Sequence, residues 1–333
     1  ADKINFFYAM PFSKSLKGRF DLKSFLFIKE RKISIIDFVR LIIFIKKNSI
    51  DIIHAHGKGA GVIGRLLKFF LNKPLIYTYH GIHIKCLSRF KRFIYILYEN
   101  LFSWIDDHKI FVSRSEKDYA IKSKIFINKN FSIINNCVSD KKLRDFNLNK
   151  ELINKKIKIY NNNKNIISIC RLVNQKNIFE IFNIAKILSF YNFIILGDGY
   201  LFKKAKLFLN KNDISNVYMF GNRSNIYDYL YVSDLFLSTS LYEGHPISIL
   251  EAMSIGLPIV ASKVVGNIDT FAQSESGYFY ELGDIKKASN CIHEILSNEK
   301  INYQFSLSSF NKQREFFTLN NMRNSYIDLY NKY

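Results

Sequence analysis

Two glutamates, Glu243 and Glu251, stand in the stretch LSTSLYEGHPISILEAMSIGLPIVAS, residues 237–262. Leu235, Phe236 and Leu237 read as the apolar end of a short buried strand that runs into the polar turn Ser238-Thr239-Ser240. Gly244 lets the backbone turn sharply, and Pro246 fits the first helical position, where its missing N–H costs nothing. Ile247, Leu250 and Met253 recur at helical spacing, Gly256 and Pro258 end the helix, and Ile259, Val260 and Ala261 open the next strand. Strand, turn, helix and strand in this order form the unit of a parallel α/β sheet, whose ligands sit at the carboxyl ends of the strands. A helix N-terminus there suits a phosphate. Two carboxylates beside it would repel that phosphate unless each has hydroxyls to hold, which points to a ligand carrying both phosphate and sugar. The plainer reading is a surface loop followed by a capped core helix.

Arg171 and Lys176 are the cations such a ligand needs. Arg171 ends an apolar strand (Ile166, Ile167, Ile169), a poor place for a guanidinium with no partner, and Lys176 opens the helix that follows. A planar fork and a point charge can share one diphosphate. The alternative is an interdomain salt bridge beside a surface lysine. His80 follows the strand Leu75 to Tyr79, with Gly81 allowing close approach; the alternative there is a histidine that merely caps a strand end. His54 and His56 are two apart on a strand and face one side, so they offer a metal two ligands, as does His80 with His83. No third ligand is evident, and neither a metal nor another cofactor is expected.

These residues together resemble a known family. Glu243-Gly244-His245-Pro246, Leu250-Glu251-Ala252-Met253, Gly256, Pro258 and Val260-Ala261-Ser262 are similar to the signature of family-4 retaining glycosyltransferases of the GT-B fold. So are Ile169-Cys170-Arg171-Leu172 with Gln175-Lys176, the glycine turn Ile195-Leu196-Gly197-Asp198-Gly199, and Ser233-Asp234. In the first half, Asp51-Ile52-Ile53-His54-Ala55-His56, Thr78-Tyr79-His80-Gly81 and Asn135-Asn136-Cys137-Val138 resemble further family segments, the last with Cys137 where Gly is usual. The resemblance implies two Rossmann-like domains facing across a cleft. It implies that Arg171 and Lys176 stabilise the leaving nucleoside diphosphate, Glu251 holds the ribose, and Glu243 and His80 reach the donor sugar. Backbone amides of Gly244, His245, Pro246 and Ile247 would hold sugar and phosphate oxygens as far as each has an N–H, with His245 acting through backbone and packing rather than as a base. It also implies a first strand and glycine-rich loop that this chain is expected to lack, because no Gly precedes Gly18 and Ile4 to Tyr8 reads as the family's second strand.

The elements that must position these groups alternate along the chain. Strands are expected at Ile4–Tyr8, Asp51–Ala55, Leu75–Tyr79, Lys109–Val112, Phe131–Ile134, Ile166–Cys170, Asn192–Leu196 and Val217–Phe220. Helices are expected at Ile33–Lys46, Gly59–Leu71, Leu87–Trp104, Glu116–Ala120, Ile178–Leu188 and Leu201–Leu209. A chain of 333 residues with 48% hydrophobic content suits two domains. The expected division is an N-terminal acceptor-binding domain at 1–140, a Lys- and Asn-rich linker at 141–164 and a C-terminal nucleotide-sugar domain at 165–310. A last helix at 311–333 is expected to pack back towards the first domain.

The formal net charge of +21 leaves nucleic acid, anionic membrane and phosphorylated substrates as partner classes. The basic residues are dispersed and carry no helix-turn-helix, finger or RNP pattern, so nucleic acid is not expected. Cys86, Cys137, Cys170 and Cys291 are scattered without a C-x-x-C pair, which suits a reducing compartment. The best apolar run, Ile33 to Ile45, is interrupted by Asp37 and Arg40 and is shorter than the roughly 20 residues a span needs. Residues 85–104 combine Lys85, Arg89, Lys91 and Arg92 with a stripe of Phe90, Phe93, Ile94, Leu97 and Leu101. That helix either lies on an anionic membrane or packs into the core. The expected setting is therefore cytoplasmic and peripheral at the inner membrane face, with a nucleotide-sugar donor and a glycan or lipid-linked acceptor. The rival readings are another GT-B enzyme, such as a non-hydrolysing sugar-nucleotide epimerase, and a basic nucleic-acid-binding protein.

Overall fold

The computed structural model describes residues 4–11, 24–28, 34–82, 84, 87–125, 130–144, 163–271 and 275–333. Gly18, His83, Lys85, Cys86 and linker residues 145–162 lie outside the described residues.

Strands β1 (Tyr8–Met10) and β2 (Phe25–Phe27) pair parallel as a sheet of their own. Strands β3 (Ile53–His56), β4 (Leu75–Thr78), β5 (His108–Phe111) and β6 (Phe131–Ile133) form a second parallel sheet in chain order. Helices α1 (Ile35–Lys47), α2 (Gly57–Leu71), α3 (Arg89–Phe102) and α4 (Arg114–Lys122) belong to this half. Asp37, which interrupts the apolar run of α1, has a local job. Its backbone N–H donates to Ser34 Oγ at 3.1 Å and its carboxylate accepts from the Ser34 N–H at 3.4 Å, a reciprocal cap on the helix start.

Arg65 of α2 fixes α3. Its guanidinium donates to Asp106 at 2.9 and 2.7 Å and to Glu99 of α3 at 2.9 Å, and Tyr79 Oη also donates to Glu99 at 2.9 Å. Glu99 is the one buried residue among those described in α3. The helix is therefore held by a carboxylate, and its apolar stripe faces outward: Phe90 is 72% and Phe93 63% exposed, with Ile94, Leu97 and Leu101 also exposed. The reading of that stripe as a core element is thereby corrected. A buried ion pair fixes orientation at little net gain in stability, because desolvating both charges offsets most of their attraction.

The second half is a six-stranded parallel sheet in the order β12-β11-β10-β7-β8-β9, made of β7 (Asn165–Ile169), β8 (Asn192–Leu196), β9 (Val217–Gly221), β10 (Leu235–Ser238), β11 (Ile259–Ser262) and β12 (Gly277–Tyr280). Its strands read as nearly continuous apolar runs because both faces are covered. Ile166, Phe193, Ile195, Leu235 and Leu237 pack under α5 (Ile178–Ile187), α6 (Phe202–Lys211) and α9 (Ile285–Ser297). Ile167, Ile194, Leu196 and Phe236 pack under α7 (Ile226–Tyr231) and α8 (Ile247–Met253). The alternation along each strand sends neighbours to opposite faces.

The chain passes between the halves near Val138, whose N–H donates to Phe317 O at 3.2 Å. Arg144, buried, pins the crossing by donating to Ser233 O, Asn302 Oδ1 and Ser306 Oγ at 2.8–2.9 Å. After α10 (Glu299–Phe316), helix α11 (Leu319–Tyr330) lays Leu329 with Met322, Tyr326 and Tyr330 against Ile76 and Ile110 of the four-stranded sheet. Among the described residues, no helix is long and apolar enough to cross a membrane.

Candidate functional site

In the larger sheet, β8 and β9 continue from β7 on one side, while β10, β11 and β12 continue on the other. Strands β7 and β10 thus flank the point where the winding reverses, and their carboxyl ends leave a crevice that no crossover covers. A cleft of 570 Å³ opens there, and all ten residues singled out from the sequence line it. Arg171 and Lys176 come from the loop after β7, Gly197 from the end of β8, and Glu243 and Gly244 from the loop after β10. His245, Pro246, Ile247 and Glu251 come from the approach to α8 and from α8 itself. His80 reaches the same cleft from the other half, after β4.

Arg171 lies two residues beyond β7, is exposed, and forms no ion pair among the described residues. This removes the expectation that it ends a buried strand and the alternative that it bridges two domains. Lys176 is no surface lysine: it is the last residue of a 3-10 turn (Asn174–Lys176), with its side chain 14% exposed, and donates to Glu243 Oε1 at 2.5 Å. Glu243 is itself buried. The two loops are also stitched through Gln175 Nε2 to Tyr242 O at 2.9 Å and Thr239 Oγ1 to Lys176 O at 2.9 Å.

Pro246 is the N-cap of α8 rather than its first helical residue, with extended backbone, and the helix opens at Ile247. Burial alone pushes the Glu251 carboxyl up to about 7, and its carboxylate has no hydrogen-bond partner among the described residues. It is a half-buried acceptor pair aimed at the cleft. His245 is different in kind. Burial pushes its imidazole down to about 3, neither ring nitrogen has a partner among the described residues, and the ring packs on Phe317 at 5.0 Å. A neutral, packed ring is no base. Its carbonyl accepts from Asn136 Nδ2 of the first half at 2.8 Å.

Two glycines set the walls. Gly197 has φ of +130°, and a Cβ there would lie 1.9 Å from Cys170 O, so the turns after β7 and β8 can meet only through glycine. A Cβ on Gly244 would lie 3.0 Å from Gly81 N and 3.2 Å from His80 C, which measures how closely the halves approach.

His80 does not cap its strand: its Nε2 pairs with His56 Nδ1 at 3.0 Å. His54, on the same side of β3 as His56, spends Nδ1 on Tyr330 Oη at 2.6 Å and Nε2 on Thr78 Oγ1 at 2.7 Å. Burial, with His56 and His80 as lesser causes, holds His54 down at about 2, while burial and His80 hold His56 at about 4. The cluster is neutral and hydrogen-bonded. Among the described residues, no group of three His, Cys, Asp or Glu is placed to hold a metal.

Sequence reasoning missed several members of this neighbourhood. Glu116 is buried behind His80 and Gly81, and Ser115 joins the halves by donating through its N–H to Asp269 at 3.1 Å while its Oγ accepts from Gly266 N at 2.9 Å. No motif marks them. Asn136 did carry a signal, as part of Asn135-Asn136-Cys137-Val138.

Comparison with known proteins follows the same division. Residues 149–312 match the family model described as glycosyl transferases group 1, and residues 10–142 match that of glycosyltransferase family 4. A UDP-Gal:alpha-D-GlcNAc-diphosphoundecaprenol alpha-1,3-galactosyltransferase of Escherichia coli is 29% identical over 287 residues, 83% of this chain and 73% of the relative. The capsular polysaccharide biosynthesis glycosyltransferase CapM of Staphylococcus aureus is 26% identical, over 88% of this chain and 76% of its own. Among solved structures, Anabaena HepE in complex with UDP and glucose superposes with a TM-score of 0.80 at 16% identity, covering 93% of this chain and 86% of that one, which establishes a shared fold. Matched along nearly its whole length by two adjoining models of one enzyme class, the chain belongs to the family-4, group 1 glycosyltransferases and has their GT-B fold.

Proposed function

We propose that this glycosyltransferase moves a hexosyl or N-acetylhexosaminyl group from a UDP-sugar to a glycan or lipid-linked acceptor, with retention at the anomeric carbon and without a metal. Its setting is the synthesis of a bacterial surface polysaccharide: O-antigen, capsule or lipopolysaccharide. The observation that carries this reading is the convergence of two cations from the loop after β7 and two carboxylates from the loop after β10 and from α8 on one cleft at the winding reversal of the larger sheet. The UDP and undecaprenol-linked chemistry of the similar galactosyltransferase supports the choice of donor and acceptor class.

In this reading Arg171 and Lys176 face the diphosphate, Glu251 accepts from the ribose hydroxyls, and Glu243 with His80 addresses the transferred sugar. The bond from the anomeric carbon to the diphosphate oxygen breaks on the face where the acceptor oxygen bonds. The leaving phosphate takes the acceptor proton, and no protein nucleophile takes part. Stabilising the developing charge on that phosphate is the main catalytic term. The direct test is transfer from a panel of UDP-sugars to a lipid-diphosphate sugar acceptor, with product stereochemistry read by NMR. An inverted product overturns retention, and activity abolished by chelator overturns metal independence.

The two carboxylates separate by calorimetry with UDP. Glu251→Ala weakens UDP binding, because the ribose loses its acceptors. Glu243→Ala keeps UDP binding or tightens it, since Lys176 is released to the diphosphate, yet transfer falls. Equal losses of affinity would sink this division of labour. A pH dependence follows from the raised carboxyl of Glu251. The ionised form accepts from the ribose, so affinity is full above about pH 7 and is lost as pH falls through it. UDP affinity drops about tenfold between pH 8 and pH 6, and Glu251→Gln removes the part of that change due to this residue.

Attachment to an anionic membrane surface fits the outward face of the N-terminal helices. Beside the α3 stripe, α2 presents Phe69, 80% exposed, and Phe70, and α1 presents Ile36, Val39 and Ile43. Arg65–Glu99 and Phe38–Phe70 hold the three helices side by side. Aromatic and aliphatic side chains beside Arg89, Lys91 and Arg92 suit an interfacial position, where a lipid-linked acceptor would lie on the same surface as the enzyme.

A further inference from the structure

Glu116 is a fully buried carboxylate with no cation paired to it among the described residues, and the transfer mechanism above does not use it. Its Oε1 accepts from Gly81 N at 2.5 Å, its Oε2 accepts from Val112 N at 3.0 Å, and Ile82 N is a third donor. The donors belong to the corner after β4 and to the end of β5. The carboxylate therefore ties the His80–Ile82 corner to the neighbouring strand. Gly81 has φ of +106°, a turn that nothing in an extended chain enforces. On its far side the same corner touches Gly244, where the proposed sugar and phosphate site begins. The helix bearing Glu116 is anchored at both of its neighbours: Ser113 Oγ accepts from Glu116 N at 3.2 Å, and Ser115 bonds Asp269 and Gly266 of the other half.

An unpaired carboxylate is expensive to bury, and hydrogen bonds from backbone N–H groups are what make it tolerable. Ordinary packing would place an apolar side chain there. We propose, resting on the donor-site reading above, that Glu116 is a positioning residue: in its ionised form it holds the His80–Gly81 corner against Gly244, so that His80 meets the donor sugar. It touches neither substrate nor the reacting atoms and acts through the backbone it binds.

Protonation breaks this arrangement. A carboxylic acid has one oxygen carrying a proton, and that proton meets an N–H group instead of accepting from it. Burial is the main cause that pushes the Glu116 carboxyl up to about 7, opposed by its three backbone donors, with Asp269 adding to the rise. The charged or titratable groups around it are Asp269 from the other half, Lys58 at the start of α2, Glu99 of α3 through its field on Lys58, and His80 itself. His80 titrates lower than a free imidazole because it is partly buried. The corner is thus firm above about pH 7 and loosens as pH falls through it, before His80 takes up its own proton.

The test reads His80 directly and does not depend on transfer. The His80 ring proton resonance, assigned by its loss in His80→Gln, is followed from pH 8.5 to 5 in the full chain. Wild type should show a step near pH 7 and a separate, lower one. Glu116→Gln, with an amide NH₂ in place of one acceptor, should abolish the upper step, and Glu251→Gln should keep it. In turnover assays at saturating donor Glu116→Gln should lower kcat at least tenfold and remove the acid limb of kcat near pH 7, with UDP affinity at pH 8 unchanged within twofold. Where the Gln variant does not fold, Glu116→Asp carries the test, keeping the charge but pulling it back by one methylene. It should retain the step and lower kcat severalfold. An upper step that survives Glu116→Gln, or Asp and Gln variants with wild-type kcat, overturns the proposal. Wild type that shows the step but transfers no sugar from any UDP-sugar refutes the donor reading and leaves the tie between Glu116 and His80 standing.

Discussion

Arg171→Ala should lower kcat/KM by about 30- to 1000-fold, the equivalent of roughly 2–4 kcal/mol, the loss typical of removing a preorganised charge from a developing oxyanion. The guanidinium is exposed and makes no ion pair among the described residues, so its removal should leave Tm where it was. Lys176→Ala should lose activity on the same scale but behave differently in the melt. From the sequence alone, both variants would be expected to keep their Tm. The structure alters that expectation, because Lys176 neutralises the buried Glu243 at 2.5 Å. Stranding that carboxylate destabilises the loop, and Tm should fall by several degrees. Lys176→Ala with Glu243→Gln should recover the melting temperature and not the activity. Steady-state kinetics and thermal melts on the variants check both claims. Wild-type turnover in Arg171→Ala and Lys176→Ala would show that the diphosphate lies elsewhere.

Wild type should co-sediment with anionic vesicles at low salt, and Arg89→Glu, Lys91→Glu and Arg92→Glu together should release it. Each Lys or Arg at an anionic surface contributes about 1 kcal/mol. Losing three therefore weakens partitioning by about 3 kcal/mol, more than 100-fold, before the repulsion of three new acids is counted. High salt should weaken wild-type binding by screening, while exposed Phe90, Phe93 and Phe69 retain part of it. Phe90→Ser with Phe93→Ser should reduce the salt-resistant fraction without lowering Tm, because these side chains cover no core. Neutral vesicles are the control. If wild type ignores anionic vesicles at low salt, the exposed face does not serve a membrane.

Much of the fold was legible because its signals are local. Parallel strands buried on both faces must be apolar runs, and the helices between them must carry a stripe of period 3.6. Asn192 to Leu196 lies where the pattern puts it, and most other ends differ by one or two residues. The C-terminal site was legible for a related reason. Its glycines, proline and acids are set by backbone geometry over a few residues, so Gly197 and Gly244 had to be written into the sequence wherever the turns meet.

The sequence by itself determined which faces are apolar, where the chain turns, and which residue types crowd the ends of β7 and β10. Only the tertiary structure decided what lies opposite each of them. Periodicity gives a side chain's direction relative to its own helix, and it is silent about whether a neighbour or solvent waits there. Hence the α3 stripe faces outward, because Glu99, not the stripe, meets Arg65. The pairing of Lys176 with Glu243, the tie of Glu116 to Gly81, and the bond from Asn136 to the His245 carbonyl join residues distant in sequence. Such contacts leave no spacing to read, since a carboxylate finds its partner only after the sheets have set the loops side by side.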